Sequence, residues 1–511
     1  MQTATIIRNS TIYDGTGDRP FTADVRIENA IIKEIGPRLP NGDGAKEVDG
    51  AGKLLTPGFI NVHSHSELLM FEDPALLSVI GQGITTEVLG QDGSSVMPVN
   101  DTIRLELEEN MAPLCGCPPR PYWWDSYADY IQAVEAVDPA CRFVGLIGYG
   151  TVRMNVLGSL SRSPKPEEMR AICDMITAQM KQGARGVSLG MIYPPCSYAT
   201  KEELITMARA VAENDGLIMV HTRNEMGRLL ESFEEMVDVM KASGVRLQIS
   251  HLKSLGRVSW GKVRVILKRL EELQQEGYDI NFDQYPWTAG STGMKVIPPA
   301  WAYEGGEDAF AARLEDPVIY ERILEETRAE LAVRGNGESV QIASVSREDW
   351  QWMCGLRLNE VAEKLGLEES VAVLSLLKGS RSNIVCVYHA INEEDVVAVM
   401  QSPYHVVCTD NVVGTLPHPR AYSTYARFLG RYVRDKKVMP LETAIRHITY
   451  EPARRLRLWD RGLIRAGMSA DLVLLDYDKI IDTNSYIDPC RQPDGICCVW
   501  VQGRLRYQGG E

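Results

Sequence analysis

Two apolar patterns alternate through the middle of the chain. In KPEEMRAICDMITAQMKQG, Met169, Ile172, Ile176 and Met180 recur at helical spacing behind Pro166, Glu167 and Glu168, and Gly183 supplies a stop. The apolar run ARGVSLGM follows at once and reads as a strand. Thr200 and Glu203 then form a T-x-x-E capping box for a helix with Leu204, Met207 and Val211 on one face, Gly216 ends it, and the buried-type strand LIMVH begins. Repeated strand and helix predict a parallel sheet. With GFINVHS, GITTEVLG, RFVGLIG, RLQISHL, INFDQYP, NIVCVYH and YHVVCTD there are nine strand candidates, one more than a (β/α)8 TIM-like barrel uses, so one is expected outside the ring. A doubly wound sheet is the rival, but its ligands gather at a single switch point, whereas here polar residues close several separate strands.

The two ends of the chain have a different rhythm. ATIIRNSTIYD and ADVRIENAIIKEIG alternate and are broken by turn residues such as Asp14-Gly15, and ADLVLLD and CCVWVQGRLRYQG repeat the style. A small β-sandwich domain assembled from both termini is expected, from residues 1–55 and 456–511, with the barrel at 56–455 between them. The segment 288–344, rich in Gly, Pro and charge, is expected to be a lid inserted in the barrel.

Composition narrows the partners. Lys plus Arg number 54 and Asp plus Glu 69, a formal charge of −15 that opposes nucleic-acid binding. No apolar run approaches the roughly 20 residues a membrane helix needs, and the opening MQTATIIRNSTIYDG lacks a signal pattern, so a cytoplasmic protein with a small-molecule substrate is expected. Whether it forms a homo-oligomer stays open. The 11 cysteines, including Cys115, Cys117, Cys497 and Cys498, show no framework spacing and are read as incidental thiols.

The eight histidines organise the chemistry: His63, His65, His221, His251, His389, His405, His418 and His447. His63 and His65 close a strand at alternate positions, so both imidazoles can grip one cation, although solvated loop histidines would give the same pattern. His221 ends LIMVH, His251 ends LQISH and Asp410 ends HVVCTD, all at the face where barrel enzymes keep their sites. Imidazoles with carboxylates are the donor set for zinc or a similar divalent ion. In related barrels a carboxylated fourth-strand lysine bridges two metals, but GVSLGM carries none; Asp92, between Gly90 and Gly93, is the anionic candidate, and a turn aspartate is its bland alternative. His418 reads as structural, and His389, His405 and His447 are left unassigned.

PGFINVHSH, GQDGSS, MIYPPCSYA, HTRNE, ISHLKSLG, DQYPWTAGST, the TDN…HPR run and DRGLIRAGMSADLVLLD together resemble the N-acyl-D-amino-acid deacylases (D-aminoacylases) of the amidohydrolase superfamily, in order over nearly the whole chain. The resemblance implies one metal site of His63, His65 and Asp410 and a second of His221 and His251 shared with the second-strand residue, holding one or two Zn2+ or similar ions. Many members have cysteine there, in GNCG, where this chain has Asp92. It also implies a substrate-carboxylate set of Tyr193, Lys253, Tyr285, Ser291 and Arg420, and Lys253 shares the strand parity of His251. The implied chemistry is metal-assisted hydrolysis of a linear N-acyl-D-amino acid with Asp410 as proton shuttle; the D hand rests on the resemblance alone. A cyclic-amide hydrolase of the dihydropyrimidinase or dihydroorotase kind and a non-enzymatic scaffold are the alternatives.

Overall fold

The computed structural model describes residues 4–41, 44–115, 123–412 and 414–509. Cys117 lies outside them. Eight strands form the barrel and are numbered around it: β1 (Phe59–Asn61), β2 (Ile84–Leu89), β3 (Arg142–Gly145, continued by Ile147–Gly148), β4 (Gly186–Gly190), β5 (Leu217–His221), β6 (Arg246–Ile249), β7 (Ile280–Gln284) and β8 (His405–Val407). Neighbours pair in parallel from β1 to β8, and the first part of β3 pairs with β2 while its continuation pairs with β4. The ring closes by a parallel bridge between Ser64 and Asn411 and by the Asp410 N–H donating to His63 O at 3.0 Å. Every residue of β2, β4, β5 and β7 is buried, as strands covered outside by helices and filled inside by side chains must be.

The two predicted helices are Pro166–Lys181, burying Ile172, Ile176 and Met180, and Lys201–Glu213, burying Leu204, Met207 and Val211. Only half of the expected capping box forms. Thr200 Oγ1 accepts from the Glu203 N–H at 3.3 Å, but the buried Glu203 carboxylate accepts from Tyr149 Oη at 2.6 Å and Arg153 Nε at 2.9 Å. A buried guanidinium without a partner costs more than a backbone N–H at a helix end that water can reach, so Arg153 claims the carboxylate.

The surplus strand candidate is NIVCVYH. Ile384–Tyr388 is the middle strand of a three-stranded antiparallel sheet, between Gly290–Gly293 and Val340–Val345. A middle strand buried on both faces carries the same continuous apolar run as a barrel strand, so pattern alone could not separate them. This sheet and the helices around it have their own core, including Met294, Ile342, Leu358, Val373, Leu377 and Cys386. The stretch expected as a lid at 288–344 is therefore part of a packed unit running from Gly290 to Tyr388.

Strands from both ends of the chain share one eight-stranded sheet, in which Leu54–Pro57 pairs with Thr5–Ile12 on one side and Leu472–Leu475 on the other. Strand alternation splits the apolar residues between two cores. Leu472 and Leu474 pack with Ile7, Val25 and Trp500, while Val473 and Leu475 join the barrel's core. Among the described residues Cys497 and Cys498 are free thiols, and no helix is long and apolar enough to cross a membrane.

Candidate active site

β1 ends at Asn61 and β6 at Ile249, so His63, His65, His251 and Lys253 stand in the turns just beyond their strands rather than in them. A hydrogen-bond net replaces the ladder there. Asn61 Nδ2 donates to Thr409 Oγ1 at 2.8 Å, Ser64 Oγ to Asn411 Oδ1 at 2.7 Å, and the His65 N–H to Asn411 Oδ1 at 3.1 Å, which ties the two histidines to the turn carrying Asp410. Beyond β2, Gly90 and Gly93 take φ of 78° and 74°, and a Cβ at Gly93 would stand 2.7 Å from Gly190 N. Ser188 of β4, in the strand that lacks a lysine, accepts the Gly93 N–H at 3.0 Å. Asp92, His251 and Asp410 themselves have left-handed backbones, with φ of 54°, 36° and 48°. Non-glycine residues pay about 1–3 kcal/mol for such conformations, and they cluster where function over-determines the geometry.

All six expected metal ligands come together in two groups that share Asp92: His63, His65, Asp92 and Asp410, and Asp92, His221 and His251, with candidate donor atoms within 4.8 Å of one another in each group. His63 Nε2 is 3.6 Å from Asp92 Oδ1 and from Asp410 Oδ1, and His65 Nε2 is 3.6 Å from Asp92 Oδ2 and 3.5 Å from Asp410 Oδ1. His251 Nε2 and His221 Nδ1 are 3.6 and 3.8 Å from Asp92 Oδ1. These separations are too long for hydrogen bonds. They are close to the roughly 3.4 Å expected between two donors that each stand about 2.0–2.1 Å from one tetrahedral ion. His63 Nε2, His65 Nε2, His221 Nδ1 and Asp92 Oδ1 are buried without a hydrogen-bond partner, a deficit a divalent cation would remove. Burial would raise both carboxyls, but His63, His221 and His251 hold Asp92 well below the usual range, and Arg420, His251 and His63 do the same for Asp410. Both are thus in the anionic form that metal binding requires.

Glu225, in the HTRNE run, belongs to the site although pattern reading did not single it out. Its Oε2 is 3.5 Å from His221 Nε2, its Oε1 is 3.3 Å from His251 Nδ1, and Lys253 Nζ lies 2.5 Å from Oε1. For His221 to offer Nδ1 and His251 to offer Nε2 to a metal, the other nitrogen of each ring must carry the proton, and Glu225 is the acceptor in reach of both. The signal was its position four residues after His221, which a search for strand-end ligands passes over. Glu225→Gln should weaken retention of the ion at His221 and His251 by about 10- to 100-fold, read by metal analysis after dialysis against a graded chelator. Unchanged retention would limit Glu225 to holding Lys253.

The residues expected to meet the substrate divide into two sets. Lys253 Nζ is committed, donating to Glu225 Oε1 and to His251 O at 3.2 Å. Tyr193 Oη is paired with Thr292 Oγ1 at 2.7 Å. In contrast, Tyr285 Oη, Ser291 Oγ and Arg420 Nε are buried and make no hydrogen bond. Arg420 Cζ lies over the Tyr285 ring, 4.4 Å from its centroid, its Nη1 is 2.8 Å from Asp410 Oδ2, and its Nη2 donates to Ser291 O at 3.1 Å. His418 is structural: Nδ1 accepts the Arg420 N–H and Nε2 donates to Ala289 O, both at 3.0 Å. His389 bonds Gln341 and His405 packs against His447, outside the metal groups. Beside the ligands opens a cavity of about 410 Å³, lined by Tyr193, Lys253, Tyr285 and Ser291 and, farther out, by Val296, Ile297, Arg334 and Tyr388 of the inserted unit.

The Amidohydrolase family profile matches residues 145–507. D-aminoacylase from Alcaligenes xylosoxydans xylosoxydans is 28% identical over 98% of this chain and 94% of its own, and N-acyl-D-aspartate deacylase of the same organism is 27% identical over 99% and 92%. The crystal structure of N-acyl-D-glutamate deacylase from Bordetella bronchiseptica, complexed with zinc and a phosphonate inhibitor, superimposes with a TM-score of 0.85 at 27% identity, covering 99% of this chain and 97% of that one. With eight parallel strands, two groups of metal donors sharing one aspartate, and a profile match over most of its length, this chain belongs to the Amidohydrolase family.

Proposed function

We propose that this protein hydrolyses the amide bond of N-acyl-D-amino acids, releasing a carboxylate and a free D-amino acid. The observation that carries this reading is the set of unspent donors on Arg420, Tyr285 and Ser291 next to the metal ligands. Three buried donor positions without partners are costly unless an anion completes them, and a planar carboxylate suits a guanidinium, a phenol and a hydroxyl together. Burial raises the Tyr285 phenol to about 12, so it stays a donor at neutral pH.

Divalent ions such as Zn2+, which His63, His65, Asp92 and Asp410 and, in the second group, Asp92, His221 and His251 would hold, would supply Lewis-acid polarisation of a carbonyl and make a water acidic enough to ionise near neutral pH. The remaining work falls to the chain. Asp410 turns Oδ1 toward His63 and His65 and Oδ2 toward Arg420, so it stands between the metal groups and the carboxylate clamp. It accepts the proton of the attacking water and returns it to the departing amine nitrogen, two transfers separated by the tetrahedral intermediate. Arg420, drawn toward the substrate carboxylate, loosens its hold on Asp410 and leaves that carboxylate a better base. Lys253, through Glu225 and His251, positions a metal ligand rather than meeting the substrate.

The D hand is supported by the full-length relatives, whose names specify D-amino acids with different side chains, and it is assigned on that support. A dihydropyrimidine substrate is disfavoured because it has no carboxylate for the arginine beside Asp410 to hold. Arg420→Ala should raise KM about 10- to 100-fold for N-acyl amino acids and much less for their carboxamides, because the charge-assisted contact exists only for the acid. Equal KM changes on acid and amide would remove Arg420 from the clamp.

A further inference from the structure

A second recess opens at the end of the barrel opposite the metal ligands, where the strands begin. Its wall is formed by Arg142 at the start of β3, Gly183 and Arg185 just before β4, and Arg457, Trp459 and Arg461. Its volume is about 410 Å³, within the roughly 300–1,000 Å³ range of small-molecule sites. On a chain of net charge −15, its lining holds four guanidinium groups and one carboxylate, Asp460.

Ion pairing within the fold accounts for half of this cluster. Arg461 grips Asp460 with Nε at 3.0 Å and Nη2 at 2.9 Å and reaches Thr86 Oγ1 at 3.2 Å, while Arg457 pairs with Asp215. These contacts fasten the C-terminal segment to the barrel. Arg142 and Arg185 are left over. The carboxylate nearest Arg142 is the already engaged Asp460, at 3.8 Å, and Arg185 has no ion pair among the described residues. Burial lowers the Arg142 guanidinium and the neighbouring charge of Arg461 lowers it further, and the opposing pull of Asp471 and Asp460 does not make up the difference. Trp459, 66% exposed although large and apolar, sits on the rim.

We propose that this recess is a binding site for a small polyanion, a phosphorylated or polycarboxylate metabolite whose oxygens are held by Arg142 and Arg185 beside the fixed charge of Arg461. Planar guanidiniums suit phosphoryl and carboxylate oxygens alike, so the two sources share one recognition chemistry. A nucleic-acid strand is disfavoured, because the chain around the recess is strongly acidic.

Isothermal titration of the metal-loaded, full-length protein with pyrophosphate and with citrate, at constant ionic strength, tests the proposal. Saturable binding of at least one probe is expected; pyrophosphate alone would indicate a phosphoryl ligand, and citrate alone a carboxylate one. The Arg142→Ala/Arg185→Ala double variant should bind at least about 10-fold more weakly while its deacylase turnover stays unchanged. Arg185→Gln, at an exposed and unpaired position, should show part of the loss with the melting temperature of the parent, which guards against misfolding of the double variant. No saturable binding of either probe, or equal affinity in parent and double variant, would overturn the proposal; the second result would place the anion at the metal centre.

Discussion

Asp410→Asn should lower turnover by a factor of about 100 or more, with the barrel still folded and metal still bound. Asparagine keeps the shape and one carbonyl oxygen toward His63 and His65, which lie 3.6 and 3.5 Å from Oδ1, but it cannot take up a proton at neutral pH. It also tolerates the left-handed backbone of this position, where φ is 48°. The substitution carries a structural cost, since it neutralises the partner of the fully buried Arg420, so the melting temperature should fall as well. Circular dichroism and metal analysis beside the kinetics separate the two effects. A folded, metal-replete variant within a few-fold of the parent rate would remove Asp410 from proton transfer.

Loss of Asp92 should be at least as severe, because it is the one residue common to both donor groups. Asp92→Ala leaves four buried imidazoles, with neighbouring ring centroids 4.5–5.4 Å apart, without the anion between them. Metal should dialyse away and activity with it. Alanine is strained at φ 54°, so Asp92→Asn, which accepts that backbone but supplies no charge, is the control for folding. Asp92→Cys should retain metal with a preference shifted toward softer ions, since thiolate replaces a hard oxygen. If Asp92→Ala keeps normal metal content and rate, Asp92 is only a turn residue.

The gathering of the candidate ligands was legible because each polar residue sits just past an apolar run that has to be a buried strand, and parallel strands deliver such residues to one end of a barrel. The same logic could not reject NIVCVYH: Ile384–Tyr388 is just as apolar, and only its antiparallel partners, set by the chain around it, take it out of the ring. Glu225 was missed for the opposite reason. It lies beyond β5 in a turn, and its role depends on His251 and Lys253, which arrive from β6 and have no fixed sequence relation to it. Arg420 and Lys253 look equivalent as cations in sequence. Three dimensions divide them, since Glu225 consumes the ammonium while Nε of the guanidinium stays unbonded.

The central claim is tested most directly by the rates at which the metal-loaded protein hydrolyses paired N-acetyl-D- and N-acetyl-L-amino acids. Three fixed points are needed to tell enantiomers apart, and the metal groups, the Arg420 clamp and the cavity wall supply them. The expected result is release of acetate and free amino acid from the D substrates in strong preference to the L substrates. Equal rates on both enantiomers, or no hydrolysis of either by metal-replete protein, would contradict it.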